Sequence, residues 1–326
     1  MTDKNIPPMG DFHFYTHAGC MDGSAAAILF RHAGGKKQNI HWVPAGRAEE
    51  EMKKSGPIND PNIPILMVDI SPGSVDFARF LVARGNVWII DHHVTAIYLN
   101  GMHPNFFVDE KNEACGCENF RRWLVRNNIV PNEEFMVHDS RPFTFDSEHY
   151  RKLTMYIDDH DRWQHKHPWS MEIAKFFAFV GQKDFVERFM NLDNRFGLVN
   201  RTEYWTPFEK DLMKLLTRIQ ESKYRSAFEK MQVVDRNFFG RTYRTAYIIS
   251  DEVNNSEMLN LYLKEHDEVD LAVQISFGLQ KVALRSIDRV DVSAIAQKYG
   301  GGGHKNAAGH PLPKGMIQEI IGGTHA

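Results

Sequence analysis

Between residues 12 and 91 the chain alternates short apolar runs with helix-like segments. "FHFYTHAG", "IHWVPA", "IPILMVDIS" and "NVWIID" have the aromatic and branched side chains of strands, while "SAAAILFRHAGG" and "PGSVDFARFLVARG" read as helices closed by glycine. Strands that alternate with helices pair in parallel, because each crossover returns the chain to the same end of the sheet. Such sheets are covered on both faces and bind ligands beyond the carboxyl ends of their strands. An α/β fold is therefore expected, with any site at those ends.

From Glu118 to about Arg201 the pattern turns helical, in "CENFRRWLVRNN", "HYRKLTMYIDD" and "MEIAKFFAFVG". Thr206-Pro207 then supplies a plausible cap and first turn for a charged amphipathic helix. After Asn237, "RTYRTAYIIS", "VDLAVQISFG" and "QKVALRSI" resemble strands, and "DVSAIAQKYGGGG" a capped helix running into a glycine loop. The expected organisation is an N-terminal parallel-sheet domain (1–205), a helical linker (206–236) and a smaller C-terminal mixed α/β domain (237–326).

A formal net charge of −3 argues against non-specific coating of nucleic acid, which depends on neutralising many phosphates. The three cysteines, Cys20, Cys115 and Cys117, make a poor disulfide framework and suit a reducing cytoplasm. The start lacks the cationic and apolar segments of a signal peptide, and no run of about 20 apolar residues follows, so no membrane association is expected.

Acids and imidazoles fall at the predicted strand ends and turns: His17, Cys20 and Asp22 in "YTHAGCMDGS", Asp69 in "MVDIS", Asp91, His92 and His93 in "IIDHH", and Asp158, Asp159 and Asp161 in "YIDDHDRW". Singly, each is more often a cap or a surface residue. Together, ionised carboxylates converging on one end of a sheet would repel unless a cation sat among them. Mixed aspartate and histidine ligands suit manganese, iron or zinc better than calcium, and a carboxylate such as Asp69 can bridge two ions. Two ions roughly 3.5–4 Å apart clamp a phosphate for in-line attack by water, which points to phosphoester hydrolysis. In "GGGGHKNAAG" the glycines of residues 300–303 allow close backbone approach to an anion, with His304 as a donor and Arg285 of "LRS" as a phosphate or carboxylate fork.

These motifs, in this order over nearly the whole chain, resemble the DHH phosphoesterase family with its DHH-associated C-terminal domain. The resemblance implies paired Mn²⁺ ions held by His17, Asp22, Asp69, His92 and Asp159, with Asp158 and Asp161 as alternatives for the last. It implies that Asp91 orients the imidazoles, that His93 meets the phosphate, and that Arg285, Gly301, Gly302, Gly303 and His304 bind the substrate. One departure stands out: Cys20 occupies a position where many relatives carry an aspartate, and a thiolate favours softer ions than manganese. The expected substrate is a short single-stranded oligonucleotide or linear dinucleotide. Nucleoside bisphosphates, cyclic dinucleotides and polyphosphate remain alternatives within the family, as does a non-catalytic nucleotide-binding protein. Helices of the first domain are candidates for a homodimer interface that no sequence feature demands.

Overall fold

The computed structural model describes residues 6–129, 147–190, 205–251 and 255–313, which divide into two compact units, Met1–Lys214 and Leu215–Ala326. The division falls inside one helix, Pro207–Phe228. Parts of the sequence read above as helical, residues 130–146 and 191–204, lie outside the described residues.

The first unit is built on strands β1 (His13–His17), β2 (Ile40–Val43), β3 (Ile65–Val68), β4 (Val87–Asp91) and β5 (Phe106–Val108), all parallel, in the order β2-β1-β3-β4-β5. Side chains alternate between the faces of a strand, so adjacent residues serve different cores. Tyr15, Met67 and Ile89, side by side in register, pack toward helices α2 (Ala48–Ser55) and α3 (Val75–Arg84). Phe14 faces the other way, toward α1 (Met21–His32) and α4 (Gly116–Arg126), and its ring lies 4.5 Å from that of Phe30 and 5.7 Å from that of Phe120.

Helix α1 is buried along almost its whole length, Met21 to Phe30, because α4, α5 (Ser147–Asp161) and α6 (Pro168–Met190) also pack around it. A helix enclosed on all sides has no use for a polar face, which accounts for its "AAAILF" run. The sequence reading passed over α2 and β5. Helix α2 buries only Ala48 and Met52, and β5 has three residues, so neither carries much periodic signal.

At the next helix, α7 (Pro207–Phe228), Thr206 Oγ1 accepts from Glu209 N at 3.1 Å while Glu209 Oε2 accepts from Thr206 N at 2.8 Å. This reciprocal capping box starts the helix where the sequence places its cap. Glu209 is held in turn by Arg188 at 3.0 Å.

The second unit is a six-stranded sheet ordered β10-β11-β9-β8-β7-β6, antiparallel except for β7 with β8. Its strands are β6 (Gln232–Phe238), β7 (Arg241–Ile249), β8 (Leu271–Ser276), β9 (Lys281–Ser286), β10 (Gly302–His304) and β11 (Ala307–Pro311). Helix α8 (Asn255–Glu265) covers one face with Met258, Leu259, Tyr262 and Leu263, and α9 (Val292–Lys298) covers the other with Val292, Ile295 and Ala296. Asp291 caps α9 by accepting from Ser293 N and Ala294 N.

The glycine-rich segment is therefore a β-hairpin rather than an open loop. A Cβ on Gly301 would lie 2.1 Å from Gly309 O, and one on Gly303 would lie 2.5 Å from Ala307 O, so these glycines let β10 press against its own partner strand.

Beneath the carboxyl ends of the first sheet, Glu118 ties α4 to α5. It accepts from Arg121 Nε at 2.8 Å, Arg122 Nε at 2.9 Å and Thr154 Oγ1 at 2.8 Å. Burial would raise its carboxyl, but the arginines and Thr154 outweigh that and hold it below the ordinary glutamate range. A depressed acid contributes stability above the ordinary range and loses it as pH falls through the folded value. Glu118→Gln is expected to cost about 2 kcal/mol at neutral pH. Thermal unfolding of both proteins along a descending pH series should show the gap closing on acidification, and a constant gap would contradict the assignment.

Candidate metal centre

In the order β2-β1-β3-β4-β5 the chain leaves β1 toward one side and returns on the other, so the crevice of the sheet opens between the carboxyl ends of β1 and β3. His17 ends β1, Asp69 follows β3, and Asp91 ends β4 with His92 next to it. Asp69 adopts a left-handed φ of 58°, a conformation aspartate tolerates better than most residues.

Asp22, in the first turn of α1, is buried, and its two oxygens accept from Gly116 N and Cys117 N, each at 2.7 Å. The start of α4 thus offers N–H groups to a carboxylate, as a helix N-terminus does for anions. His92 Nε2 lies 3.6 Å from Asp22 Oδ2, 3.5 Å from Asp69 Oδ1 and 3.6 Å from Asp161 Oδ2. On the other side, Asp69 Oδ2 lies 3.9 Å from His17 Nδ1. One carboxylate thus turns its two oxygens toward two donor groups: His17 and Cys20 on one side, and His92 with Asp22 and Asp161 on the other. Within each of the sets His17, Cys20, Asp69 and Asp22, His92, Asp161 the ligand atoms lie within 4.8 Å of one another.

Asp91 lies beside Asp69, His92 and His93, with ligand atoms of all four within 4.8 Å of one another, but its oxygens are already engaged. Its Oδ1 accepts from His92 N at 2.7 Å and from His93 Nδ1 at 2.7 Å, and Oδ2 accepts from Ser71 Oγ. Burial pushes this carboxyl up, but the His93 contact and Ser71 outweigh it and hold it at about 2. His93 is correspondingly raised to about 9: burial opposes its charge, and Asp91 restores it. Burial and the charge of Asp22 push Asp69 and Asp161 upward. Burial would lower His92, yet Asp69, Asp161 and Asp22 carry it well above the ordinary histidine value.

The residues fit a divalent cation on independent grounds. Asp69 is only 2% exposed, and its Oδ2 has no hydrogen-bond partner among the described residues. A buried orphan acceptor beside an imidazole and a thiol is a position that a cation would satisfy.

The three acids of the fourth motif take different positions. Asp159 turns toward its own chain, accepting from Lys166 N at 2.9 Å, His167 N at 3.1 Å and Ser170 Oγ at 2.6 Å. The structure brings Asp161 into the cluster instead, from the last turn of α5. Asp158 takes a bracing position: Arg162 donates to both its oxygens, and Cys115 N donates to Oδ1 at 2.7 Å.

The sequence reading missed three supports. Asn112 Oδ1 lies 3.3 Å from His92 Nδ1, and Arg162 Nη1 donates to Asn112 O at 2.9 Å, which links His92 to α5. Gln182 Oε1 accepts from Gly19 N at 2.9 Å and so holds the loop between His17 and Cys20. Only Arg162 had a sequence signal, four residues after Asp158.

In the second unit, Arg285 on β9 is opposite Ala307 on β11, which is opposite His304 on β10, so both side chains belong to one rung of the sheet. Arg285 donates from Nη1 to Leu284 O at 2.7 Å and from Nη2 to Ser256 Oγ, while its Nε has no partner among the described residues. Burial lowers its guanidinium to about 10. Gly301, Gly302 and Gly303 lead into and form β10, with open space beside Gly302.

No protein-family model matches the sequence. The chain is 23% identical over 315 residues to oligoribonuclease NrnB of Bacillus subtilis, in an alignment covering 91% of this chain and 72% of that one. The DHH domain of a protein described as a member of a family of ribosomal proteins has the same fold, with a TM-score of 0.61 at 12% identity, over 97% of this chain and 85% of that one. The pGpG-specific phosphodiesterase PggH of Vibrio cholerae gives a TM-score of 0.50 at 12% identity, over 95% and 96% of the two chains. The shared feature is a parallel sheet with acids and imidazoles at its switch point, followed in the chain by a mixed-sheet unit. The chain is thus similar in fold to a DHH domain, and it carries the triplet Asp91, His92 and His93 at the end of β4.

Three substitutions probe the centre. A Cβ on Gly116 would lie 2.7 Å from Asp69 Cβ and 3.1 Å from Asp22 Oδ2, so Gly116→Ala should displace both acids. Calorimetric titration with Mn²⁺ is expected to show affinity reduced roughly 10–100-fold, the range seen when groups supporting metal ligands are lost. Asp161→Asn should weaken binding at least as much. Asp159→Asn should instead lower the unfolding temperature with binding retained, and the reverse ranking would return Asp159 to the ligand set.

Proposed function

We propose that the chain is a metal-dependent phosphodiesterase that releases mononucleotides from short oligoribonucleotides or linear dinucleotides. The observation that carries this reading is Asp69, whose oxygens face two separate donor groups as a bridging carboxylate would. Likeness to proteins named an oligoribonuclease and a pGpG phosphodiesterase supports the substrate class.

His17 and Asp69 would hold one divalent ion, and Asp69, Asp22, His92 and Asp161 the other, with Mn²⁺ the expected ion for the oxygen-rich position. Such a pair supplies positive charge to a phosphoryl oxygen and acidifies water. The protein's own part is positional. Asp91 accepts the Nδ1–H of His93 and favours the protonated imidazole, whose Nε2–H is left to donate to a phosphate oxygen. Ser71 fixes Asp91 from the other side. In the second unit Arg285 Nε, the backbone of Gly301, Gly302 and Gly303, and the His304 imidazole would bind a phosphate of the substrate. Three free thiols suit a reducing cytoplasm, and no described helix is long and apolar enough to cross a membrane.

Hydrolysis of pApA, RNAs of two to five residues, a nucleoside 3′,5′-bisphosphate and tripolyphosphate, with Mn²⁺ and with chelator, tests the proposal. Mononucleotide release from the short RNAs should depend on metal and fall on the order of 10²–10³-fold in Asp69→Asn. Preference for the bisphosphate or tripolyphosphate would reassign the substrate. Absence of turnover on every compound, with metal bound, would mark a nucleotide-binding protein.

A further inference from the structure

The donor group on the β1 side of Asp69 differs in chemistry from its neighbour. Asp22, His92 and Asp161 present two carboxylates and one imidazole, whereas His17, Cys20 and Asp69 present one imidazole, one thiol and one carboxylate. The three atoms of the second set come from three segments: the end of β1, the residue before α1 and the residue after β3. All lie within 4.8 Å of one another. That separation is compatible with donors around one ion, since zinc-type bonds of about 2.0–2.3 Å place tetrahedral ligand atoms between 3 and 4 Å apart after a small contraction.

A second observation points into the same space. Asp69 Oδ2, on a residue 2% exposed, has no hydrogen-bond partner among the described residues, and the nearby imidazole nitrogen of His17 is 3.9 Å away. An unsatisfied carboxylate oxygen this deep calls for a proton or a cation. Cys115 and Cys117 differ from Cys20 in this respect. Their sulfurs lie 3.5 Å apart and near Asp22, but both oxygens of Asp22 already accept backbone N–H groups.

We propose that Cys20 binds a divalent cation as a thiolate beside His17 and Asp69, so that this position takes a thiophilic ion such as Zn²⁺, Co²⁺ or Fe²⁺. The position at Asp22, His92 and Asp161 would retain the harder Mn²⁺, giving a centre with two unlike ions. The inference rests on the reading of the cluster as a metal centre. Sulfur ligation follows the general preference of soft donors for softer ions, and the thiol proton leaves to solvent as the sulfur–metal bond forms.

Cobalt reports sulfur ligation directly, through a sulfur-to-metal charge-transfer band in the near ultraviolet. Co²⁺ titrated into the chelator-treated full chain should produce that band. Cys20→Ser should abolish it and weaken one of two binding equivalents by more than about tenfold. Cys20→Asp should also lack the band yet bind a second Mn²⁺ more tightly than wild type, as counted by loss of the free Mn²⁺ paramagnetic resonance signal. Cys115→Ser and Cys117→Ser should keep the band. Persistence of the band in Cys20→Ser, or cobalt bound by wild type with ligand-field absorption alone, would overturn the assignment while leaving the metal centre intact. Failure of wild type to bind either cobalt or manganese would overturn both.

Discussion

Negative charge packed at the crevice of a parallel sheet is the constraint from which the first unit follows. Asp22, Asp69 and Asp91 are each at most 2% exposed, and a buried carboxylate without compensation costs several kcal/mol. Each acid is compensated in its own way. Asp22 has the amides that start α4, Asp91 has His93 and Ser71, and Asp69 has one oxygen beside His92 and the other without a protein partner among the described residues. The incomplete compensation of Asp69 is what makes the cluster receptive to a cation.

The surrounding helices are placed to serve that compensation. Helix α4 must begin within hydrogen-bond reach of Asp22, and a side chain at Gly116 would collide with Asp69, so the residue that opens α4 has to be glycine. Helix α5 brings Asp161 to His92 and is locked there by the bridge from Asp158 to Cys115 N and Arg162. Glu118, in the first turn of α4, fastens the same two helices from below. A shift of either helix would therefore disturb Asp22, Asp161 and their braces together.

The second unit solves a different problem. Its glycine-rich hairpin keeps two backbones close enough that a methyl group at Gly301 or Gly303 would not fit, and the pairing sets Arg285 and His304 on one rung. The open side at Gly302, rather than the crowded positions flanking it, is where backbone can be approached from outside.

The alternation of strand and helix, the acids at strand ends, the cap at Thr206 and the order of the motifs were legible because they depend on neighbours in the chain. Helix α8 was legible as well, through Met258, Leu259, Tyr262 and Leu263 at helical spacing, although it was passed over. Which acid of "DDHD" joins the cluster was not legible. The answer depends on how α5 is rotated against α1 and α4, and each step along a helix turns a side chain by about 100°. The roles of Asn112 and Gln182 were hidden for the same reason, since each acts on a residue distant in sequence. Sequence alone determined that acids and imidazoles would gather at one end of a parallel sheet. Tertiary structure decided which of them face one another, because only packing sets the angles at which separate segments meet.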